Sequence, residues 1–155
     1  MTARDVEGMA GAPSVIVGLD GRAKAYRPLP LLERSAAIVA GLAAYERGDF
    51  FLAHEDLEPA WMGTADLAER SVLQGLIKLA AAYVHAVRGN LPGVARNLTG
   101  ARGRLTSPGA AEAGAALAGL DVAVLVREID LRLAELTGDT TSPRLGPPAL
   151  RRSVR

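Results

Sequence analysis

The densest chemistry in this chain lies in one short segment, Phe50-Phe51-Leu52-Ala53-His54-Glu55-Asp56-Leu57-Glu58-Pro59-Ala60-Trp61. Positions 54, 58 and 61 stand at i, i+4 and i+7, so His54, Glu58 and Trp61 share one stripe of a helix. A second polar stripe follows at i, i+4 and i+8, formed by Arg70, Gln74 and Lys78, with His85 further along. Two polar stripes on neighbouring, otherwise apolar helices imply a buried or cleft-lining polar cluster. With the first helix ending near 62 and the next starting near 66, levels pair where residue numbers sum to about 128. His54 then sits level with Gln74, and Glu58 level with Arg70.

Four chemistries use those residues differently. A His-x3-Glu pair can share a metal ion, but a third ligand is needed and the geometry offers only Arg70 or Gln74. His85 falls about eleven residues beyond Gln74, roughly 16 Å along the axis, so no metal site is expected. General acid–base catalysis would use His54 held by Glu58, with Gln74 orienting a group opposite. Against it, no Ser or Thr nucleophile stands near the pair, no Gly-rich phosphate loop is present, and the chain has no cysteine. A structural network, His54 on Glu58 and Glu58 on Arg70, would satisfy the buried charges and set helix register. Breaking it would cost on the order of 2–4 kcal/mol. The remaining reading is a small-molecule or peptide pocket walled by Trp61 and Phe50.

The elements that must position these groups are helical. In 155 residues, 49% are hydrophobic and only 4% aromatic, with few β-branched runs, which favours an all-α core. The apolar pattern Leu32, Ala36, Val39, Leu42, Ala43 marks a first helix from about Leu29, which Gly48 ends. Asp49 offers the N-cap of a second, 50–62, with Pro59 inside it. Asp66 followed by Glu69 reads as a capping box opening the longest helix, about 67–88, whose stripe is Leu73, Leu76, Ile77, Ala80, Val84 and Val87. Gly89 ends it, and Asn90 caps a fourth, 91–105. A short Ala/Gly-rich helix over 110–118 and a last one from Asp121 to about Thr137 complete the series. The expectation is a single-domain array of five to six mostly antiparallel helices over 29–137. Residues 1–28 form an N-terminal arm in which Ser14–Leu19 is either a strand entering the Asp20-Gly21 turn or an extended segment. Residues 138–155 form a basic, Pro/Gly-containing tail expected to be mobile.

Charge and targeting narrow the classes. Eighteen basic and 17 acidic residues leave a net charge of +1, so no global field captures nucleic acid or an anionic membrane. The longest uncharged apolar stretches fall well short of the roughly 18 residues a spanning helix needs, and the N-terminus lacks a secretory pattern. A cytoplasmic location is expected, with neither nucleic acid nor membrane as partner. Arg88, Arg96, Arg102 and Arg104 run without an intervening acid, while the second helix is acidic. That asymmetry leaves open self-association or a protein partner. His85 reads as a cation at the negative end of its helix dipole.

Glu46-Arg47-Gly48-Asp49-Phe50 through Trp61, then Leu73-Gln74-Gly75-Leu76-Ile77-Lys78-Leu79-Ala80, then His85 and Arg88-Gly89-Asn90 before Gly93-Val94-Ala95, resembles the domain of unknown function 309 family over about residues 36–105. The resemblance implies a small all-helical protein of bacterial or archaeal type. Its signature helix, His-Glu-x-x-Glu-x-x-Trp followed by Gln-Gly-Leu-Ile, falls on His54, Glu55, Glu58, Trp61, Gln74, Gly75, Leu76 and Ile77. It brings no established activity. The expected function is a ligand- or protein-binding scaffold built on His54, Glu58, Trp61, Arg70 and Gln74, with no cofactor implied. The alternative is a hydrolase using His54 and Glu58 as an acid–base pair, with metal assistance as a variant of it.

Overall fold

The computed structural model describes residues 15–17, 23–138 and 146–152. Two short strands, β1 (Val15–Val17) and β2 (Ala23–Ala25), pair antiparallel with Val15 opposite Ala25 and Val17 opposite Ala23. The Asp20-Gly21 turn expected between them lies outside the described residues. Six helices follow among the described residues: α1 (Leu31–Glu46), α2 (Phe50–Met62), α3 (Leu67–Val87), α4 (Leu91–Leu105), α5 (Ala110–Ala118) and α6 (Val122–Thr137). The chain is an all-α helical array preceded by this hairpin.

The helix ends follow from local side chains. Asp66, Asn90 and Asp121 each accept a hydrogen bond from the backbone N–H three residues on, at 2.9, 3.1 and 3.1 Å, satisfying a donor that the first helical turn leaves orphaned. Asp49 occupies the N-cap position of α2, yet its side chain makes no cap bond. The turns after α1 and α3 place Gly48 and Gly89 at φ of 83° and 71°, a region nearly closed to other residues.

These short turns fold consecutive helices back on each other. Phe50, at the start of α2, meets Tyr83, near the end of α3, and Gly75 on α3 lies against Leu105 at the end of α4. Both contacts require antiparallel neighbours. α3 is the central element, burying Val72, Leu73, Leu76, Ile77, Leu79 and Ala80 on several faces. α2 and α4 flank it, while α6 closes over α4 with Val122, Leu125 and Ile129.

Three expectations are corrected. The face of α1 that enters the core is Ile38, Gly41, Leu42, Ala44 and Tyr45. Of the expected stripe only Leu42 is buried, and Leu32 and Val39 are 83% and 68% exposed. The reason is that α1 is apolar nearly all round, so periodicity alone does not select its inner face. Val87 likewise points to solvent rather than completing the stripe of α3. The described part of the C-terminal tail is docked rather than mobile. Pro148 is buried and its carbonyl accepts from Tyr45 Oη at 2.8 Å. Leu120 and Arg152 form a β-bridge, with Asp121 N–H donating to the Arg151 carbonyl at 2.9 Å.

Candidate functional site

α2 and α3 pack side by side and carry all five expected site residues. On α2, His54 is about three-quarters buried, and its Nδ1 lies 3.7 Å from Glu55 Oε1 and 3.9 Å from Glu58 Oε2. Those separations allow Coulomb attraction but exceed hydrogen-bond reach. Nδ1 is fully enclosed and has no hydrogen-bond partner. On α3 the same holds for Arg70 Nη1. No hydrogen bond from Arg70 Nη1 closes the pair with Glu58 that the register suggests. Gln74 is buried one turn beyond Arg70.

Lys78 continues the α3 stripe toward α4. Its stem lies over Gly100, where a methyl would stand 2.9 Å from Lys78 Cδ. Burial, and secondarily the neighbouring Arg104 guanidinium, hold its ammonium below the usual lysine range.

Trp61 has a different part. It is 3% exposed and belongs to the hydrophobic core with Leu57, Leu73 and Ile77. Phe50 turns away from it, packing edge-on to Tyr45 at 5.5 Å and tilted against Tyr83 at 5.6 Å. The two aromatics expected to wall one pocket thus occupy separate surroundings. Among the described residues, no three His, Asp or Glu side chains group closely enough to hold a metal ion.

His85, in the last turn of α3, is tied to the turn that follows it. Asn90 Oδ1 accepts the Gly93 N–H at 3.1 Å, leaving the Asn90 amide nitrogen, a donor, 3.1 Å from His85 Nδ1. In the tautomer that makes this bond, Nδ1 accepts and Nε2 carries the ring proton. Gly93 is needed beneath this contact, because a Cβ there would come within 2.7 Å of both the His85 ring and Asn90. His85, Asn90 and Gly93 together fix the α3–α4 turn.

Sequence reasoning missed two long-range pairs. Arg34 Nη1 reaches Glu69 Oε2 at 3.2 Å and Thr64 Oγ1 at 3.3 Å, tying α1 to the start of α3. Arg102, counted in the basic zone, pairs with Asp130 across α4 and α6. Both join residues about thirty positions apart, and neither has a local spacing signal. Among the described residues, no helix is long and apolar enough to cross a membrane.

No curated protein and no solved structure matches this chain. Residues 38–97, from the middle of α1 to the middle of α4, match the family model described as Domain of unknown function (DUF309), and this stretch carries His54, Glu58, Trp61, Arg70 and Gln74.

Proposed function

We propose that the α2–α3 cluster is a binding site for a small molecule bearing an oxygen acceptor, a carboxylate or phosphate group, rather than a catalytic centre. The observation that carries this reading is the pair of enclosed, unbonded side-chain nitrogens, His54 Nδ1 and Arg70 Nη1. A buried polar group without a partner costs about 1–3 kcal/mol, and a ligand oxygen in hydrogen-bond range would remove that cost. The permanent charge of Arg70 supplies the attraction for an anion. The acid–base alternative has weaker support, because His54 and Glu58 stand at 3.9 Å rather than in a hydrogen bond.

Ligand stabilisation grows with ligand concentration as the logarithm of its ratio to Kd. Titrating inorganic phosphate and succinate against thermal unfolding therefore tests the reading directly. In the wild type at least one of the two raises the melting temperature with a saturable dependence. Arg70→Met keeps the stem and removes the guanidinium with its unbonded Nη1, and it abolishes the shift without lowering the ligand-free melting temperature. Absence of any saturable shift in the wild type, or an equal shift in Arg70→Met, overturns the proposal.

A further inference from the structure

A separate cleft lies at the other end of α2. Its walls are Phe50 from α2, Tyr83 from α3, Val94 and Leu98 from α4, and Arg132 and Leu136 from α6, and it encloses about 340 Å³. None of His54, Glu58, Arg70 and Gln74 lines it. Small-molecule sites are concave, mostly apolar and fixed by a few polar groups, with volumes of about 300–1,000 Å³. This cleft fits that description at its compact end.

The polar groups sit together on one wall and are held rigidly. Arg132 is only 11% exposed. Its Nε donates to the Gly146 carbonyl at 2.8 Å and its Nη1 to the Glu128 carbonyl at 2.9 Å. The same guanidinium acts electrostatically on Tyr83, whose hydroxyl burial holds above the usual tyrosine range. Tyr83 thus presents a neutral phenol at neutral pH. Among the described residues the charge of Arg132 is faced by two carboxylates, Glu128 at 3.5 Å and Glu135, whose field acts on Tyr83. That wall has no surplus positive charge for an anionic head group, but it has fixed hydrogen-bonding groups for a neutral one.

The apolar part favours a planar ring. The chain has six aromatic residues, two Phe, one Trp and three Tyr. Three of them form the run Tyr45–Phe50–Tyr83 with centroid spacings of 5.5 and 5.6 Å, and two of these face the cleft. Aromatic rings prefer offset or edge-on neighbours at such spacings. A cavity of about 150 Å³ holds benzene, so this volume suits two fused rings. We infer that the cleft is a second binding site, for a small neutral bicyclic aromatic compound bearing a hydroxyl group.

The probe is 2-naphthol, compared with naphthalene and 2-naphthoate, by intrinsic fluorescence of the ligand and by calorimetry on the full chain. One saturable site is expected, with 2-naphthol bound more tightly than either comparison compound. Ala86→Phe fills the cleft and is expected to weaken 2-naphthol at least about tenfold. Val87→Trp, on the exposed rim, does the same without touching the core. Tyr83→Phe is expected to weaken 2-naphthol about two- to tenfold, the effect of one neutral hydrogen bond, while leaving naphthalene unchanged. The inference is overturned by the absence of saturable 2-naphthol binding, by tighter binding of 2-naphthoate, or by affinity that a folded Val87→Trp leaves unaltered.

Discussion

His54 and Asn90 show why residue type alone does not tell a functional group from a structural one. Spacing selected His54, Glu58 and Arg70 correctly as polar groups on adjoining helices. It did not reveal that His54 Nδ1 stops 3.9 Å from Glu58 and that Arg70 Nη1 is left without a hydrogen bond, since a rotamer difference separates a 2.9 Å bond from a 3.9 Å approach. The sequence expectation of a costly loss at His54 therefore changes. His54→Leu keeps the bulk and removes an unbonded, enclosed nitrogen. Its stability in a urea melt should equal the parent's or exceed it by up to ~1 kcal/mol. Asn90→Ala, by contrast, removes both the cap on Gly93 N–H and the donor to His85. It should cost about 1–2 kcal/mol. A loss above ~2 kcal/mol for His54→Leu would mean that the histidine holds the helices together after all.

At the scale of elements, the helices were legible because their punctuation is local. Asp66 with Glu69, Asn90 with Gly93, and Asp121 each cap within three residues, and the starts of α3, α4 and α6 follow from such signals. Two features were not legible. The inner face of α1 was ambiguous because Leu32, Ala36, Val39 and Ala43 form as good a stripe as the one the core accepts. The docking of residues 146–152 rests largely on backbone carbonyls, those of Gly146, Pro148 and Arg151, and carbonyls carry no sequence signature. The two faces of α1 can be separated by substitution. Leu42→Ala empties a core site and should cost about 2–5 kcal/mol. Val39→Lys sits on the exposed face and should change stability by no more than about 0.5 kcal/mol in a denaturant melt of dilute protein. Equal losses at both positions would mean that the exposed face of α1 is covered in solution.

At the scale of the whole molecule, α1, α3, α6 and the C-terminal segment meet at two buried phenols. Tyr45 Oη donates to the Pro148 carbonyl, and burial, followed by the neighbouring Tyr83, holds its ionisation far above the usual tyrosine range. Tyr83 is raised as well, by desolvation first. A folded-state pKa above the unfolded one means that the native state keeps protons which the unfolded chain has lost. The stabilisation is therefore complete below about pH 10 and is lost as pH rises past the unfolded tyrosine value, at up to ~1.4 kcal/mol per pH unit for each phenol withheld. Lys78 acts oppositely. Its folded pKa is lowered, so its contribution is lost at lower pH and returns as pH rises through the same region. Lys78 retains more contact with water than the two tyrosines, so its gain offsets their loss only in part. Urea midpoints should accordingly fall between pH 9 and pH 11. Tyr45→Phe lowers stability at pH 8 by about 1 kcal/mol through the lost bond to Pro148, yet its midpoint should decline less steeply with pH than the parent's. A slope identical to the parent's would show that Tyr45 does not couple the C-terminal segment to alkaline stability.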